Sequence, residues 1–214
     1  MTSTTSATGR IAALVAAAAT ALFVSACTET PASDDHAGHS QGAESSAPAA
    51  SGETPAALPA GVNAADVAFA KGMIPHHEQA VQMSELVPDR SSDPAVIELA
   101  AAISKAQEPE IKTMQGFLTE WTGSAATGHE GHDMGAMGMQ GMVDGATMER
   151  LETLKGADFD TLWLQSMIGH HEGAIAMANT EIADGADADA KDLAAEIVKT
   201  QQAEIDQMKQ MLGG

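Results

Sequence analysis

Met73-Ile74-Pro75-His76-His77-Glu78 returns as Met167-Ile168-Gly169-His170-His171-Glu172, ninety-four positions later. The same offset carries Ala80 onto Ala174, Met83 onto Met177, Leu99 onto Leu193 and Ile103 onto Ile197. It also carries Gln107 onto Gln201, Glu110 onto Glu204, Ile111 onto Ile205, Met114 onto Met208 and Leu118 onto Leu212. A fixed offset held over about fifty residues means one structural unit used twice with no insertion inside it. The His-His-Glu step is therefore either a pair of sites or one site built from two halves.

Outward from the motif, the periodicity is helical. A helix over 63–87 places Val62, Phe69, Met73, Ala80, Ser84 and Val87 on one stripe, with His77 on one edge of it and His76 and Met83 on the other. Lys71, Glu78, Gln82 and Glu85 fall on the opposite face. Pro88 ends this helix, 89–93 is a turn, and Asp93-Pro94 starts a second helix over 94–121. Its apolar side carries Val96, Leu99, Ile103, Met114, Phe117 and Trp121, and also Gln107 and Glu110. A carboxylate on a buried face is unfavourable unless something opposite satisfies it. Pro109 stands beside these polar groups and predicts a bend there. Residues 147–155 suit a short helix, 158–183 a third long helix and 187–212 a fourth that repeats the second. Short turns within each pair and a long link between pairs predict an all-α fold, a four-helix bundle built from two repeated helical hairpins. The bundle spans 62–212, with repeats 62–121 and 156–212 related by a pseudo-two-fold axis and a connector at 122–145.

The ends and the composition bound the rest. The net charge of -20 argues against nucleic acid, whose phosphates demand a basic surface. Residues 1–26 read as an export signal: Arg10, then an apolar run from Ile11 to Val24 that is short for a membrane span. Val24-Ser25-Ala26-Cys27 resembles a bacterial lipobox, in which Cys27 is the lipidated residue and anchors the chain to a membrane outside the cytoplasm. Cys27 is the only cysteine, so no disulfide forms within the chain. Residues 27–61 are rich in Ala, Ser, Pro and Gly and read as a disordered tether, in which His36 and His39 are ordinary linker residues.

The inward polar groups suggest metal chemistry. His76, His77, His170 and His171 flank the core-facing stripes, Glu110 and Glu204 face them, and Met73, Met114, Met167 and Met208 sit at neighbouring depths. Imidazole suits copper, zinc and iron, and thioether selects Cu(I). The plainer alternative is a salt-bridged core, His77 with Glu110 and His171 with Glu204, and methionines at helical spacing are ordinary packing. The connector offers a second ligand set, His129, His132, Met134, Met137, Met139 and Met142 among glycines, where packing gives methionine no reason to be. No Glu-x-x-His of a di-iron bundle, no His-Glu-x-x-His and no glycine-rich phosphate loop is present.

The two copies of Met-Ile-x-His-His-Glu-x-Ala, each followed by Ala-x-x-Ile-x-x-x-Gln-x-x-Glu-Ile-x-x-Met, closely resemble the domain of unknown function 305 family over residues 62–212. The resemblance implies a ferritin-like bundle and, for some members, extracytoplasmic copper binding through Met and His. Carried onto this chain it adds Met83, Gln107, Met177 and Gln201 to the candidates. Pro109 departs from the repeat, since the second copy has Ala203 there.

The resulting expectation is a membrane-tethered protein that binds copper, as Cu(I) above all, for sequestration, resistance or transfer to a donor or acceptor protein. Two other functions are compatible with the sequence: a ferritin-like redox enzyme with an atypical metal centre, and a structural or adaptor bundle without metal.

Overall fold

The structure, a computed structural model, describes residues 57–123 and 140–213. The export signal, Cys27, most of the tether, and His129, His132, Met134, Met137 and Met139 of the connector lie outside the described residues. Every regular element among the described residues is helical: α1 (Ala64–Glu85), α2 (Val87–Arg90), α3 (Pro94–Thr122), α4 (Gly145–Thr153), α5 (Gly156–Asp184) and α6 (Ala188–Met211).

Each start has a local cause. Asn63 accepts hydrogen bonds from the amides of Ala65 and Asp66, and the Asp66 carboxylate accepts from the Asn63 amide at 2.6 Å, a reciprocal capping box for α1. Asp93 caps α3 ahead of Pro94, Asp144 caps α4 and Asp187 caps α6. Gly123, at φ 72, ends α3 in the left-handed conformation open to glycine.

Pro88 behaves differently from the sequence expectation. α1 stops at Glu85, before Pro88, and the chain makes one further helical turn, α2, with Pro88 in its first turn. Proline is tolerated there because a first-turn N–H has no intrahelical acceptor to lose. Pro75 and Pro109 lie inside α1 and α3, and both helices continue through them.

α1 packs along α3 and α5 along α6, and the two hairpins meet chiefly through α1 and α5. Trp163 of α5 donates its indole N–H to the carbonyl of Met83 in α1 at 3.0 Å, a buried tie between the hairpins. The core has two apolar clusters, and each long helix contributes to both. One holds Ala80, Val87, Val96, Leu99, Ile103, Phe159, Trp163, Met167 and Met208; the other holds Phe69, Met73, Ile74, Met114, Leu118, Ala174, Met177, Ala194 and Ile197. Between its two apolar stretches, every long helix passes through a polar step: His76-His77 in α1, Gln107 to Glu110 in α3, His170-His171 in α5 and Gln201 to Glu204 in α6. The repeat places these steps at matching heights, so the bundle is two apolar caps around one polar layer.

Candidate metal centre

Hydrophobic burial on either side forces the polar layer inside. His76, His77 and His171 have no solvent exposure and His170 has 1%. The layer's hydrogen bonds decide which ring nitrogens remain available. His77 Nε2 donates to Glu110 Oε2 at 2.7 Å, and His171 Nε2 donates to Glu204 Oε2 at 2.7 Å, the same bond in both halves. His76 Nε2 donates to the backbone carbonyl of Gln140 at 3.1 Å. These acceptors fix the proton on Nε2 and leave the Nδ1 lone pair as the basic site. The Nδ1 atoms of all four histidines are buried without a hydrogen-bond partner, and so is Nε2 of His170.

The two halves meet at His76 and His170, whose ring centroids are 3.8 Å apart at an interplanar angle of 41°. His170 and His171 are 6.4 Å apart by the same measure. Burial, reinforced by repulsion from His77 and His171, lowers His76 to about 3. Burial and the neighbouring His76, His171 and His77 likewise hold His170 well below the ordinary imidazole range. Both rings are thus neutral at physiological pH and need lose no proton to bind a cation.

Of the residues expected from sequence, the fold brings the four histidines together with Glu110 and Glu204. The glutamates contact the ring nitrogens directly and are positioned to orient them. The methionines are divided between the apolar clusters: Met73 and Met114, with Met177, in one; Met167 and Met208, with Met83, in the other. Gln107 and Gln201 are buried in the layer, and both polar atoms of the Gln107 amide lack a partner. Among the described residues no three His, Cys, Asp or Glu side chains form a ready-made chelate. The unpartnered donors of the layer are imidazole nitrogens, a ligand type that suits copper, zinc, iron and nickel.

Two features went unread in the sequence. Gln79, beside the first motif, donates to the Val143 carbonyl at 2.9 Å and accepts from the Val143 amide at 2.8 Å, fastening the end of the connector to α1. Near the far end of α1, Asp66 accepts from the amides of Ala186 and Asp187, both at 2.9 Å, and lies beside Glu181. Burial, and then the neighbouring Asp66, push Glu181 up to about 8. Burial of Asp66 acts to raise it too, but hydrogen bonds from Asn63, Asp187, Glu181 and Ala186 hold it below the usual carboxylate value. The partner of Glu181 is more than a hundred residues away, where no local pattern reports it.

The molecule is thus a helical bundle with a buried histidine layer. Residues 66–212 match the family described as domain of unknown function (DUF305), and the chain belongs to that family. A DUF305 protein of Streptomyces coelicolor has 36% identity to it and a TM-score of 0.63, covering 69% of this chain and 91% of that one. A DUF305 fragment from Deinococcus radiodurans has 30% identity and a TM-score of 0.64, covering 71% and 97%. CopM in its Cu(II)-bound form has 31% identity and a TM-score of 0.58, covering 68% and 94%; its Cu(I)-bound form has 29% identity at the same TM-score and coverage. An uncharacterized protein, L153, of Acanthamoeba polyphaga mimivirus is 40% identical over 55 residues, a match spanning 36% of that protein.

Proposed function

We propose that this chain is an extracytoplasmic, lipid-anchored copper-binding protein that holds Cu(I) in the histidine layer for sequestration or transfer, without turning over a substrate. One observation carries the reading: four buried imidazoles keep their Nδ1 atoms unpartnered. A buried polar atom left unsatisfied destabilises a fold by about 1–3 kcal/mol, and a bound cation gives such nitrogens a partner. In this account His76, His77, His170 and His171 supply ligand nitrogens, while Glu110 and Glu204 fix the tautomers from behind. Met73, Met114, Met167 and Met208 line the layer above and below as polarisable walls within reach of a soft ion. The connector residues His129, His132, Met134, Met137, Met139 and Met142 capture metal from solution.

Three further facts support it. CopM, to which the chain is similar, has been crystallised with Cu(I), Cu(II) and Ag. In this reading residues 1–26 are an export signal and Cys27 is lipidated, so the chain works outside the cytoplasm, where thioether and imidazole remain usable and thiolates are oxidised. No helix among the described residues is long and apolar enough to cross a membrane, so the lipid on Cys27 is the anchor in this account.

The test is competition between the full chain and a chromogenic Cu(I) chelator. Wild type withdraws copper from the chelator; His76→Ala with His77→Ala lowers the affinity of the tight site at least ~100-fold. A double variant that competes as well as wild type contradicts the assignment. The symmetric His–Glu bonds also suit a metal-free structural role, in which they set helix register. Melting separates the two: a cation that binds only the folded chain must raise its melting temperature.

A further inference from the structure

The two copies of the motif differ where symmetry would be expected to hold. The offset of the repeat carries Gln79 onto Gly173 and Pro75 onto Gly169. The first of these departures serves one segment, Gln140–Val143. On α1, Gln79 grips it through two bonds to the backbone of Val143. On α5, Gly173 gives it a seat: a Cβ there would run into the carbonyl of Gln140 and the Cα of Gly141. Gly141 in turn sits at φ +81, and a Cβ on it would lie 2.8 Å from the Gly169 carbonyl oxygen and 3.0 Å from that of His170. A side chain at either glycine would lift the segment off the helices. So seated, the segment crosses from one His-His-Glu helix to the other, and its Gln140 carbonyl accepts the hydrogen bond from His76 Nε2.

Outside this strap is a groove of about 400 Å³ along α1, lined by Pro75, Glu78, Gln79, Gln82, Glu85 and Met142. One segment therefore places a thioether residue in the open groove and, two residues earlier, a carbonyl on a buried imidazole. Met142 thus shares the groove with Glu78 and Glu85, while Gln140 lies directly on His76.

We propose that Gln140–Val143 is a latched gate over the histidine layer, with Gln79 as its latch and Gly173 as its seat, and that its opening sets the rate at which a monovalent soft cation enters and leaves. This rests on the metal-binding reading above. It also explains why the repeat departs from its symmetry at Gln79 and Gly173: two repeated halves form one layer that needs one cover.

The experiment uses the full chain with Ag(I) alone as the probe, comparing wild type, Gln79→Ala and Gly173→Ala. Gln79 is only half-buried, so its variant keeps the fold even if the glycine variant does not. Hydrogen exchange at the Val143 amide reports the latch, and stopped-flow transfer of Ag(I) to and from a chelator reports the gate. The expected result for Gln79→Ala is Val143 exchange at least ~10-fold faster, with uptake and release of Ag(I) both accelerated ~10-fold and the equilibrium constant moving far less than either rate. Faster exchange at Val143 with unchanged Ag(I) rates overturns the gate while leaving the metal site standing. A Val143 amide as protected as in wild type overturns the latch. Absence of Ag(I) uptake by wild type removes the metal-binding reading and the gate with it.

Discussion

At the scale of single residues, the unpartnered nitrogens of the histidine layer cost the fold stability. His170 has neither ring nitrogen satisfied and is almost wholly buried. Replacing an unsatisfied polar group by an apolar one of similar size removes a desolvation penalty. His170→Leu should therefore raise the metal-free chain's unfolding free energy by about 1 kcal/mol while abolishing stabilisation by Ag(I); denaturant unfolding with and without silver measures both. A less stable metal-free variant would mean that His170 has a structural partner. Glu181 gives the pH dependence. Its carboxyl titrates near 4.5 when unfolded and near about 8 in the fold, because burial and then Asp66 disfavour its charge. Between those values the folded chain keeps a proton that the unfolded chain has released, so stability falls as pH rises through the window and levels off above it. Glu181→Gln should flatten this slope and, at about pH 9, exceed wild type by roughly 1–3 kcal/mol. An unchanged slope in urea titrations across the window would show that Glu181 is ionised in the fold.

At the scale of the helices, the repeat told most of the story because each feature is local. Asn63, Asp93 and Asp187 are capping residues in the right place, and the apolar stripes run to within a few residues of the observed ends. His77 and Glu110 were readable as partners because each breaks an apolar face, and their copies, His171 and Glu204, break it again. Pro88 was misread, because proline fits the first turn of a new helix as readily as it ends an old one. Pro109 is exposed and α3 runs on through it, at the loss of one backbone hydrogen bond. Ala203 occupies the matching place in the second copy. Pro109→Ala should accordingly stabilise the chain by about 1–3 kcal/mol without changing copper affinity, as calorimetry and chelator competition would register. A loss of affinity would instead make Pro109 part of how Glu110 reaches His77.

At the scale of the whole molecule, pairing of the halves brings His76 and His170 together, and neither copy of the motif encodes that by itself. Periodicity assigns a residue to a face; it cannot say which ring stacks on which, or that Gln140 reaches His76. The connector shows the same limit from the other side. Its composition gave it a metal role, whereas the docking of Gln140–Val143 depends on Gln79 and Gly173, which look unremarkable until the copies are overlaid. The charge of -20 fits a chain that gathers cations, and in the proposed function selectivity among them falls to the layer. The most direct measurement is nitrogen NMR of the full chain labelled in histidine, titrated with Ag(I). The account predicts that the Nδ1 resonances of His76, His77, His170 and His171 shift and show coupling to silver, with Nε2 of His77 and His171 still protonated. Silver-dependent shifts confined to histidines outside the bundle, with the four core Nδ1 resonances unmoved, would contradict it.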